Sequence, residues 1–336
     1  MRTLIDKIGP SKLVLSPMAG ISDSPFRKLC REMGSAISIT EFVSTAHLFI
    51  SHPGAIKLFR YDEAERPVVF QIFGNDPEII LRGVSRVLHL KPDGIDLNMG
   101  CSVKNVSGKG SGAGLLRCPD RAQTIIRRLI AETGLPVSAK IRLGWDHDSL
   151  NYMEMTEMLE AEGVWAIAVH GRTRKMGYTG EADWDRIGEI ARARRIPIFG
   201  NGDVTTPADA EEKIAKYGVA GVYIGRGAIG NPWIFGRIDK ATLGLAERLP
   251  VILRHIQDMK SFYGDRLAGV LMRKFLTQYL RDLPEWPLLK PRVYLFESAD
   301  ELADFLATGY GSIRPDGLLT TGSPWPIEDS ERQVAS

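Results

Sequence analysis

The residue best suited to chemistry in this sequence is a cysteine in a glycine-rich segment. Cys101 follows Asn98-Met99-Gly100. The segment after it carries four glycines, at Gly108, Gly110, Gly112 and Gly114. A thiol on such a loop can swing toward a substrate and be shielded when the loop closes. It can act as a nucleophile or as a proton donor, because its ordinary pKa of about 8.5 leaves most of it protonated near neutral pH. We therefore predict a chemical role for Cys101.

The other two cysteines, Cys30 and Cys118, are expected to be structural. Cys30 lies in a predicted helix, where a thiol behaves as a small apolar side chain, and Cys118 precedes Pro119 at a predicted helix start. Three cysteines without a C-x-x-C pair argue against a disulfide framework and a structural zinc site. We expect no metal and a reducing compartment.

Two glycine-bearing turns indicate a phosphate site. Their sequences are Gly200-Asn201-Gly202-Asp203 and Gly225-Arg226-Gly227-Ala228. Glycines allow a ligand to approach the backbone closely, and an arginine adds a charge-assisted hydrogen bond. In barrels of alternating strands and helices, the loops after the last two strands often bind phosphate. The residues predicted to bind it are Asn201, Gly202, Asp203, Gly225 and Arg226.

Three further polar residues end predicted strands, and their chemistry stays open at this point. Lys140 is expected to point into the mouth of a barrel, where it could pair with an anionic cofactor, form a Schiff base or bridge to a carboxylate such as Glu41. Gln71 and Asn98 supply amide groups that could read the edge of a flavin or a pyrimidine. Each could equally cap a helix.

Basic residues cluster after the sixth predicted strand, in His170-Gly171-Arg172-Thr173-Arg174. Other basic residues recur with aromatic residues among them, a mixture that can follow a nucleic-acid backbone and stack bases. The formal net charge of +2 is too small to establish a polyanionic partner by itself. We interpret the cluster as a contact for cofactor phosphate and for a second, larger anion.

Eight short apolar runs alternate with amphipathic segments and predict an α/β fold, a (β/α)₈ TIM barrel. The runs are Lys12–Pro17, Ala36–Phe42, Pro67–Phe73, Asp93–Asn98, Pro136–Ile141, Trp165–His170, Ile196–Gly200 and Ala220–Gly225. Runs that are apolar throughout suit strands buried on both faces of a parallel sheet. An open doubly wound sheet is disfavoured, because no G-x-G-x-x-G follows the first strand. Polar residues at the strand ends match the face where barrel active sites gather.

The pattern becomes purely helical after Phe235. The helical spacing covers Leu249–Tyr263, Ala268–Leu280 and Ala299–Leu306. We predict a barrel domain over residues 1–242, a small helical domain over 243–310 and a poorly ordered tail over 311–336. There is no apolar run of about 18 residues and no signal sequence, so we expect a cytoplasmic protein without a membrane span. We also expect a monomer.

Taken together in order, these motifs resemble the tRNA-dihydrouridine synthase family. The resemblance runs from about residue 13 to 235. The matching stretches are Ser16-Pro-Met-Ala-Gly-Ile-Ser-Asp-Ser-Pro-Phe-Arg27, Thr40-Glu41, Gln71-Ile-Phe-Gly-Asn-Asp76, Asp96-Leu-Asn-Met-Gly-Cys101, Lys140-Ile-Arg-Leu-Gly-Trp-Asp146, His170-Gly-Arg-Thr-Arg174, Gly177-Tyr-Thr-Gly180, Gly200-Asn-Gly-Asp203 and Gly225-Arg226.

The resemblance implies bound FMN that is reduced by NADPH and passes hydride to C6 of a uridine in tRNA, while Cys101 protonates C5. It places Pro17, Met18 and Ala19 along the flavin, and Gln71 and Lys140 on its ring. The turns at 201–203 and 225–226 would hold the phosphate, with His170 between flavin and RNA. The residues expected to contact the target base or the tRNA are Asn98, Arg142, Arg172, Arg174, Arg273 and Lys274.

The sequence departs from the family at two places. The family usually has proline after the catalytic cysteine, whereas this chain has Ser102, which should loosen the loop. The helical domain usually reads Arg-Lys-His, whereas this chain has Phe275 after Arg273 and Lys274. Three alternatives remain: an FMN barrel acting on a free pyrimidine, a Schiff-base lyase using Lys140, and a tRNA-binding chaperone with a vestigial site.

Overall fold

A computed structural model describes Leu4 and residues 11–309. The chain divides into two compact units between Asp239 and Lys240, a few residues before the expected boundary. The predicted tail, 311–336, lies outside the described residues.

The first unit is a (β/α)₈ TIM barrel, as the sequence predicts. Its parallel strands are β1 Leu13–Leu15, β2 Ser38–Ile39, β3 Val43–Ser44, β4 Val68–Phe73, β5 Gly94–Met99, β6 Val137–Arg142, β7 Ala166–His170, β8 Ile198–Asn201 and β9 Gly221–Ile224. Strands β2 and β3 both pair with β4 and fill one barrel position. The peptide N–H of Ala36 donates to the carbonyl of Leu13 at 2.8 Å, beside the start of β2, and closes the ring.

The predicted strand Ala36–Phe42 is interrupted, and Thr40 explains the interruption. Its peptide N–H donates to the carbonyl of Val69, but its hydroxyl oxygen accepts the peptide N–H of Gln71 at 3.0 Å. A side-chain oxygen thus replaces a backbone carbonyl in the ladder, and regular pairing stops. The chain resumes pairing at β3.

Nine helices of the described residues surround the barrel, and six of them begin with a side-chain cap, a proline or both. They are α1 Ser24–Glu32, α2 Thr45–Phe49, α3 Pro53–Lys57, α4 Pro77–Ser85, α5 Lys104–Ser107, α6 Pro119–Thr133, α7 Tyr152–Ala161, α8 Trp184–Ala193 and α9 Pro207–Tyr217. Inside the barrel, apolar side chains that include Val14, Val69, Ala168 and Tyr223 form one buried cluster with Leu4. This layer supports the polar side chains at the carboxyl ends of the strands.

The second unit is helical. Its helices are α10 Leu245–Tyr263, α11 Asp265–Leu280, α12 Trp286–Val293 and α13 Ala299–Asp304. The guanidinium of Arg248, 1% exposed, donates to the Asp282 carboxylate at 2.8 and 3.0 Å and to the carbonyl of Tyr279. Helix α12 is absent from the sequence prediction, because Pro287 and Pro291 obscure its helical pattern.

Candidate active site

Strand register places the polar residues of the barrel interior in two levels. At the lower level Gln71 on β4, Asp96 on β5 and Ser138 on β6 lie side by side. Two residues further along β5 and β6, Asn98 is level with Lys140. Because alternate residues of a strand face the same side, both levels point into the barrel. All five side chains are buried to at least nine-tenths.

Asn98 links the polar interior of the barrel to Cys101. Its side-chain oxygen accepts the peptide N–H of Gly100 at 3.1 Å and that of Cys101 at 2.9 Å. Its amide nitrogen donates to Gln71 Oε1 at 2.9 Å, and Gln71 Nε2 donates to Asp96 Oδ2 at 2.7 Å. The backbone that carries Cys101 is therefore fixed from inside the barrel.

The segment after Cys101 is folded rather than an open glycine-rich loop. It contains α5 and a 3₁₀ helix, Gly112–Arg117, and the carbonyl of Cys101 accepts the peptide N–H of Ala113 at 3.1 Å. A Cβ on Gly112 would lie 3.0 Å from that of Cys101, and its φ is +56°. Gly112 is thus needed for close packing against the thiol residue. The freely swinging loop expected from the glycines does not fit this geometry.

The Cys101 side chain is half-buried. Burial raises the pKa of its thiol, although the peptide N–H of Val103 and the charge of Arg142 act in the opposite direction. A raised pKa keeps the thiol protonated at neutral pH, which suits a proton donor better than a thiolate nucleophile.

Lys140 is a buried cation with few partners. Its ammonium donates to Asn201 Oδ1 at 2.8 Å, and Asn201 in turn donates to the carbonyl of Tyr223. Burial, followed by repulsion from Arg142, lowers the Lys140 pKa to about 7, while Asp96 acts weakly in the other direction. An anion bound beside Lys140 would restore its charge.

His170 lies at the end of β7 within a strongly positive environment. Its ring is buried, and Arg172 Nη1 lies 3.4 Å from Nε2. Burial, followed by the charges of Arg142, Lys140, Arg172 and Arg226, holds the pKa of His170 well below its ordinary value. The imidazole is therefore neutral near pH 7, and the surrounding cations favour an anionic ligand.

Arg142 and Arg172 are buried, which does not fit their expected direct contact with tRNA. Arg142 donates to the carbonyls of Gly100, Thr173 and Gly177 at 2.7 to 2.9 Å. Arg172 donates to the carbonyls of Thr179 and Gly180 and to the Asp203 carboxylate. Arg142 thus connects the segments after β5 and β7, and Arg172 connects those after β7 and β8.

The two turns predicted to bind phosphate contain backbone N–H groups that can donate hydrogen bonds to a ligand. The peptide N–H groups of Gly202, Asp203, Gly225 and Arg226 donate to no acceptor among residues 11–309. The Arg226 side chain is 60% exposed, and its nearest carboxylate oxygen, on Asp203, is 3.5 Å away. A Cβ added at Gly225 would meet nothing closer than Met18 Sδ at 3.7 Å. Four N–H groups, one exposed arginine and open space above a glycine fit a phosphate.

The predicted flavin-lining segment lies at the end of β1. Pro17 and Met18 are partly exposed and Ala19 is exposed, while the Met18 backbone is fixed by the hydroxyl of Ser22. Met18 Sδ lies 3.7 Å from the position that a Cβ would take at Gly225, so Met18 is beside the turn that is predicted to bind phosphate. The structure thus brings the predicted cofactor residues to one face of the barrel.

The remaining predicted RNA contacts are half-buried. Arg174 donates to the Ser107 hydroxyl at 3.0 Å, and its guanidinium lies 4.5 Å from the ring centre of Trp145. In the second unit, Arg273 donates to the carbonyl of Phe296 at 3.0 Å. Lys274 lies over the ring of Phe275, which is fully buried against His255 at 4.7 Å between ring centres. Phe275 therefore belongs to a core.

Asp96 and Ser138 had no role assigned from the sequence, and Tyr178 stood only among the aromatic residues that are interleaved with basic ones. Asp96 and Ser138 lie two residues before Asn98 and Lys140 on their strands. Because alternate residues of a strand share a face, this spacing could have placed both side chains in the barrel interior. Tyr178 is 64% exposed, and the guanidinium groups of Arg226 and Arg142 lie 5.1 and 5.8 Å from its ring centre.

Comparison with known proteins identifies the family. The family model for dihydrouridine synthase (Dus) matches residues 14–306. The chain belongs to the dihydrouridine synthase family. It is 38% identical to tRNA-dihydrouridine synthase B of Pseudomonas aeruginosa over 285 residues, which cover 82% of this chain and 85% of that protein. It is 35% identical to a probable tRNA-dihydrouridine synthase of Aquifex aeolicus, over 87% of this chain and 93% of that protein.

Solved structures similar to this dihydrouridine synthase family member support its fold. A 2-naphthoyl-CoA reductase aligns with a TM-score of 0.53 at 11% identity, over 66% of this chain and 49% of that one. A histamine dehydrogenase from Rhizobium aligns with a TM-score of 0.51 at 12% identity, over 74% and 49%. At this identity the likeness concerns the fold alone.

Leu4 and residues 11–309 contain no group of three or more His, Cys, Asp or Glu side chains that could hold a metal ion. Within residues 11–309, none of the helices has the length and apolar character needed to cross a membrane.

Proposed function

We propose that this chain reduces the C5–C6 double bond of uridine in tRNA, with FMN as its bound cofactor and NADPH as the reductant. The observation that carries the proposal is Cys101, protonated and anchored at the mouth of a dihydrouridine synthase barrel. The curated relatives carry tRNA in their names, which supports tRNA as the substrate.

The residues at the barrel mouth fit FMN. Its phosphate would be held by the N–H groups at 202–203 and 225–226 and by Arg226, and its ring by Lys140 and Gln71. Bound FMN supplies the hydride for C6 of the uracil. Lys140 balances negative charge on the ring, because burial has removed competing water from its ammonium. Neutral His170 can donate or accept a hydrogen bond without adding charge.

Cys101 donates the proton to C5, and the thiol is restored by uptake of a proton from solvent. The target base must leave the RNA stack to reach the barrel mouth, as base-modifying enzymes generally require. Arg142 keeps the thiol segment and the 173–177 loop together around it. Asn98 orients the thiol through its backbone, and its second amide hydrogen can reach the base.

The test is to incubate the purified protein with NADPH and tRNA transcribed without modification. We expect a yellow protein and a tRNA that gains two hydrogen atoms at one or more uridines, measured by nucleoside mass spectrometry. Free uridine should not be reduced at a comparable rate. Reduction of free pyrimidines with tRNA unchanged would instead favour a small-molecule reductase.

One observation favours a second candidate, a Schiff-base lyase. A lysine with a pKa of about 7 is nucleophilic at neutral pH. A colourless protein that borohydride links covalently to a carbonyl compound at Lys140 would support this candidate. Flavin binding and no covalent adduct would contradict it.

A further inference from the structure

Asp96 is a buried carboxylate that the proposed reaction does not use directly. Its side chain is 1% exposed, and burial raises its pKa. Within residues 11–309 it forms no ion pair within 4.0 Å, and Lys140 acts on it only at longer range. A buried carboxylate without a close cation is costly, so hydrogen bonds must stabilise it.

The hydrogen bonds that begin at Asp96 have a fixed direction. Asp96 Oδ1 accepts the Ser138 hydroxyl at 2.6 Å and Oδ2 accepts Gln71 Nε2 at 2.7 Å. Gln71 must then present its oxygen to Asn98, whose amide nitrogen donates to it at 2.9 Å. Asn98 is left with its oxygen toward the peptide N–H groups of Gly100 and Cys101. Each amide could be turned either way alone, but the two ends of this chain allow one arrangement.

We propose that Asp96 is a positioning residue for Cys101, which it orients through the side-chain amides of Gln71 and Asn98. This inference rests on the proposed function of Cys101 as proton donor. If Gln71 turned over, its nitrogen would face the nitrogen of Asn98, and two donors would oppose each other in a buried site. If Asn98 turned over as well, its oxygen would face Gln71, and the peptide N–H groups of Gly100 and Cys101 would lose their acceptor.

Hydrogen-bond direction predicts an unusual pattern among conservative variants. In Asp96→Asn the new amide can keep its oxygen on Gln71 and donate its nitrogen to the Ser138 oxygen, because that hydroxyl can rotate and accept. In Ser138→Ala the carboxylate still accepts from Gln71. In the double variant the amide nitrogen has no acceptor on the side of residue 138, so the direction of the hydrogen bonds is fixed only from the Cys101 end. The two substitutions should therefore be strongly non-additive.

The experiment uses the full chain loaded with FMN and compares these three variants with the unchanged protein. The first measurement is the rate at which iodoacetamide alkylates Cys101, followed by peptide mass spectrometry with the buried Cys30 as an internal reference. The second compares two half-reactions: reduction of the flavin by NADPH, and its reoxidation by tRNA. Cofactor affinity is measured separately, because Asp96→Asn also removes a negative charge that favours protonated Lys140.

We expect each single variant to change the Cys101 alkylation rate and the reoxidation rate by less than about threefold, and the double variant to change both by about tenfold or more. Flavin reduction by NADPH should be nearly equal in all four proteins. Additive effects, or equal loss in both half-reactions, would overturn the proposal. If the double variant does not fold, Asp96→Ala must produce the same selective change. Failure of the proposed function would be seen separately, because the protein without substitutions would then not reduce tRNA. The alkylation rates of Cys101 in the variants would still test whether Asp96 positions this residue.

Discussion

At the scale of single residues, burial acts on Cys101 and Lys140 in opposite directions. It raises the pKa of the thiol and lowers that of the ammonium to about 7, and in both cases it favours the uncharged form. For Cys101 the uncharged form is the one that the proposed transfer of a proton to C5 needs. Lys140 depends on a bound anion to remain charged, and this dependence makes cofactor binding sensitive to pH.

We predict that the affinity for reduced FMN, whose ring is an anion near neutral pH, falls as the pH rises above 7. Below pH 7 free Lys140 is already protonated, but above it the lysine must take up a proton when the anionic ring binds beside it. The dissociation constant should therefore rise by up to about tenfold per pH unit between pH 7.5 and 8.5. Anaerobic titration of apoprotein with reduced FMN measures this. Lys140→Met should bind more weakly and lose the dependence, and a slope that persists in it would contradict the prediction.

Gly225 and Gly227 should respond differently to alanine. A Cβ at Gly225 meets no atom closer than 3.7 Å, whereas one at Gly227 would lie 2.2 Å from the carbonyl oxygen of Val204. We expect Gly225→Ala to fold and to bind FMN at least about tenfold more weakly, because the methyl group occupies the phosphate cradle. Gly227→Ala should lower the unfolding temperature instead. Gly244→Ala, in the second unit, is the control and should bind FMN normally.

At the scale of elements, much of the site could be predicted from the sequence because strand ends converge in a parallel barrel. Gln71, Asn98, Lys140, His170 and Asn201 were identified from their positions alone. The interruption between β2 and β3 could not be, because it depends on which partner the Thr40 hydroxyl finds across the sheet. The folded state of the 101–117 segment was missed for a similar reason, since its glycines serve close packing as well as flexibility.

Arg142 should be hard to replace even by lysine. Its planar guanidinium reaches three carbonyls on two loops, and an ammonium cannot reproduce that geometry. We predict that Arg142→Lys increases amide hydrogen exchange in residues 100–117 and 172–180 and lowers tRNA reduction by about tenfold or more. Arg117→Lys, at an exposed arginine stacked on Trp145, is the control. Unchanged exchange in both loops would refute the role.

At the scale of the whole molecule, the sequence predicts a boundary between residues 242 and 243, and the structure divides between Asp239 and Lys240. The sequence could not predict which basic residues remain at the surface, because exposure depends on tertiary packing. Arg142 and Arg172 are expected from the sequence to contact the target base or the tRNA, whereas both lie buried in the fold. Phe275, where the sequence departs from the family, is likewise a core residue. The predicted RNA contacts in this segment are therefore Arg273 and Lys274 beside it.

We predict that Phe275→His, which restores the usual family residue, destabilises the protein. Phe275 is fully buried against His255, whose pKa burial lowers to about 3. A second imidazole there replaces apolar packing with a polar group, at a cost of roughly 2–4 kcal/mol. Urea unfolding measures the loss, and Phe275→Leu should lose less. Gain of stability in Phe275→His would show that the site accommodates a paired histidine.

The central claim is that Cys101 gives a proton to a uridine of tRNA. The most direct test is a single-turnover measurement with NADPH-reduced enzyme and unmodified tRNA, comparing the unchanged protein with Cys101→Ser and with Cys118→Ser as the control. The account predicts that Cys101→Ser binds FMN and is reduced normally but forms dihydrouridine about 100-fold or more slowly, while Cys118→Ser matches the unchanged protein. Dihydrouridine formation by Cys101→Ser at the unchanged rate would contradict it.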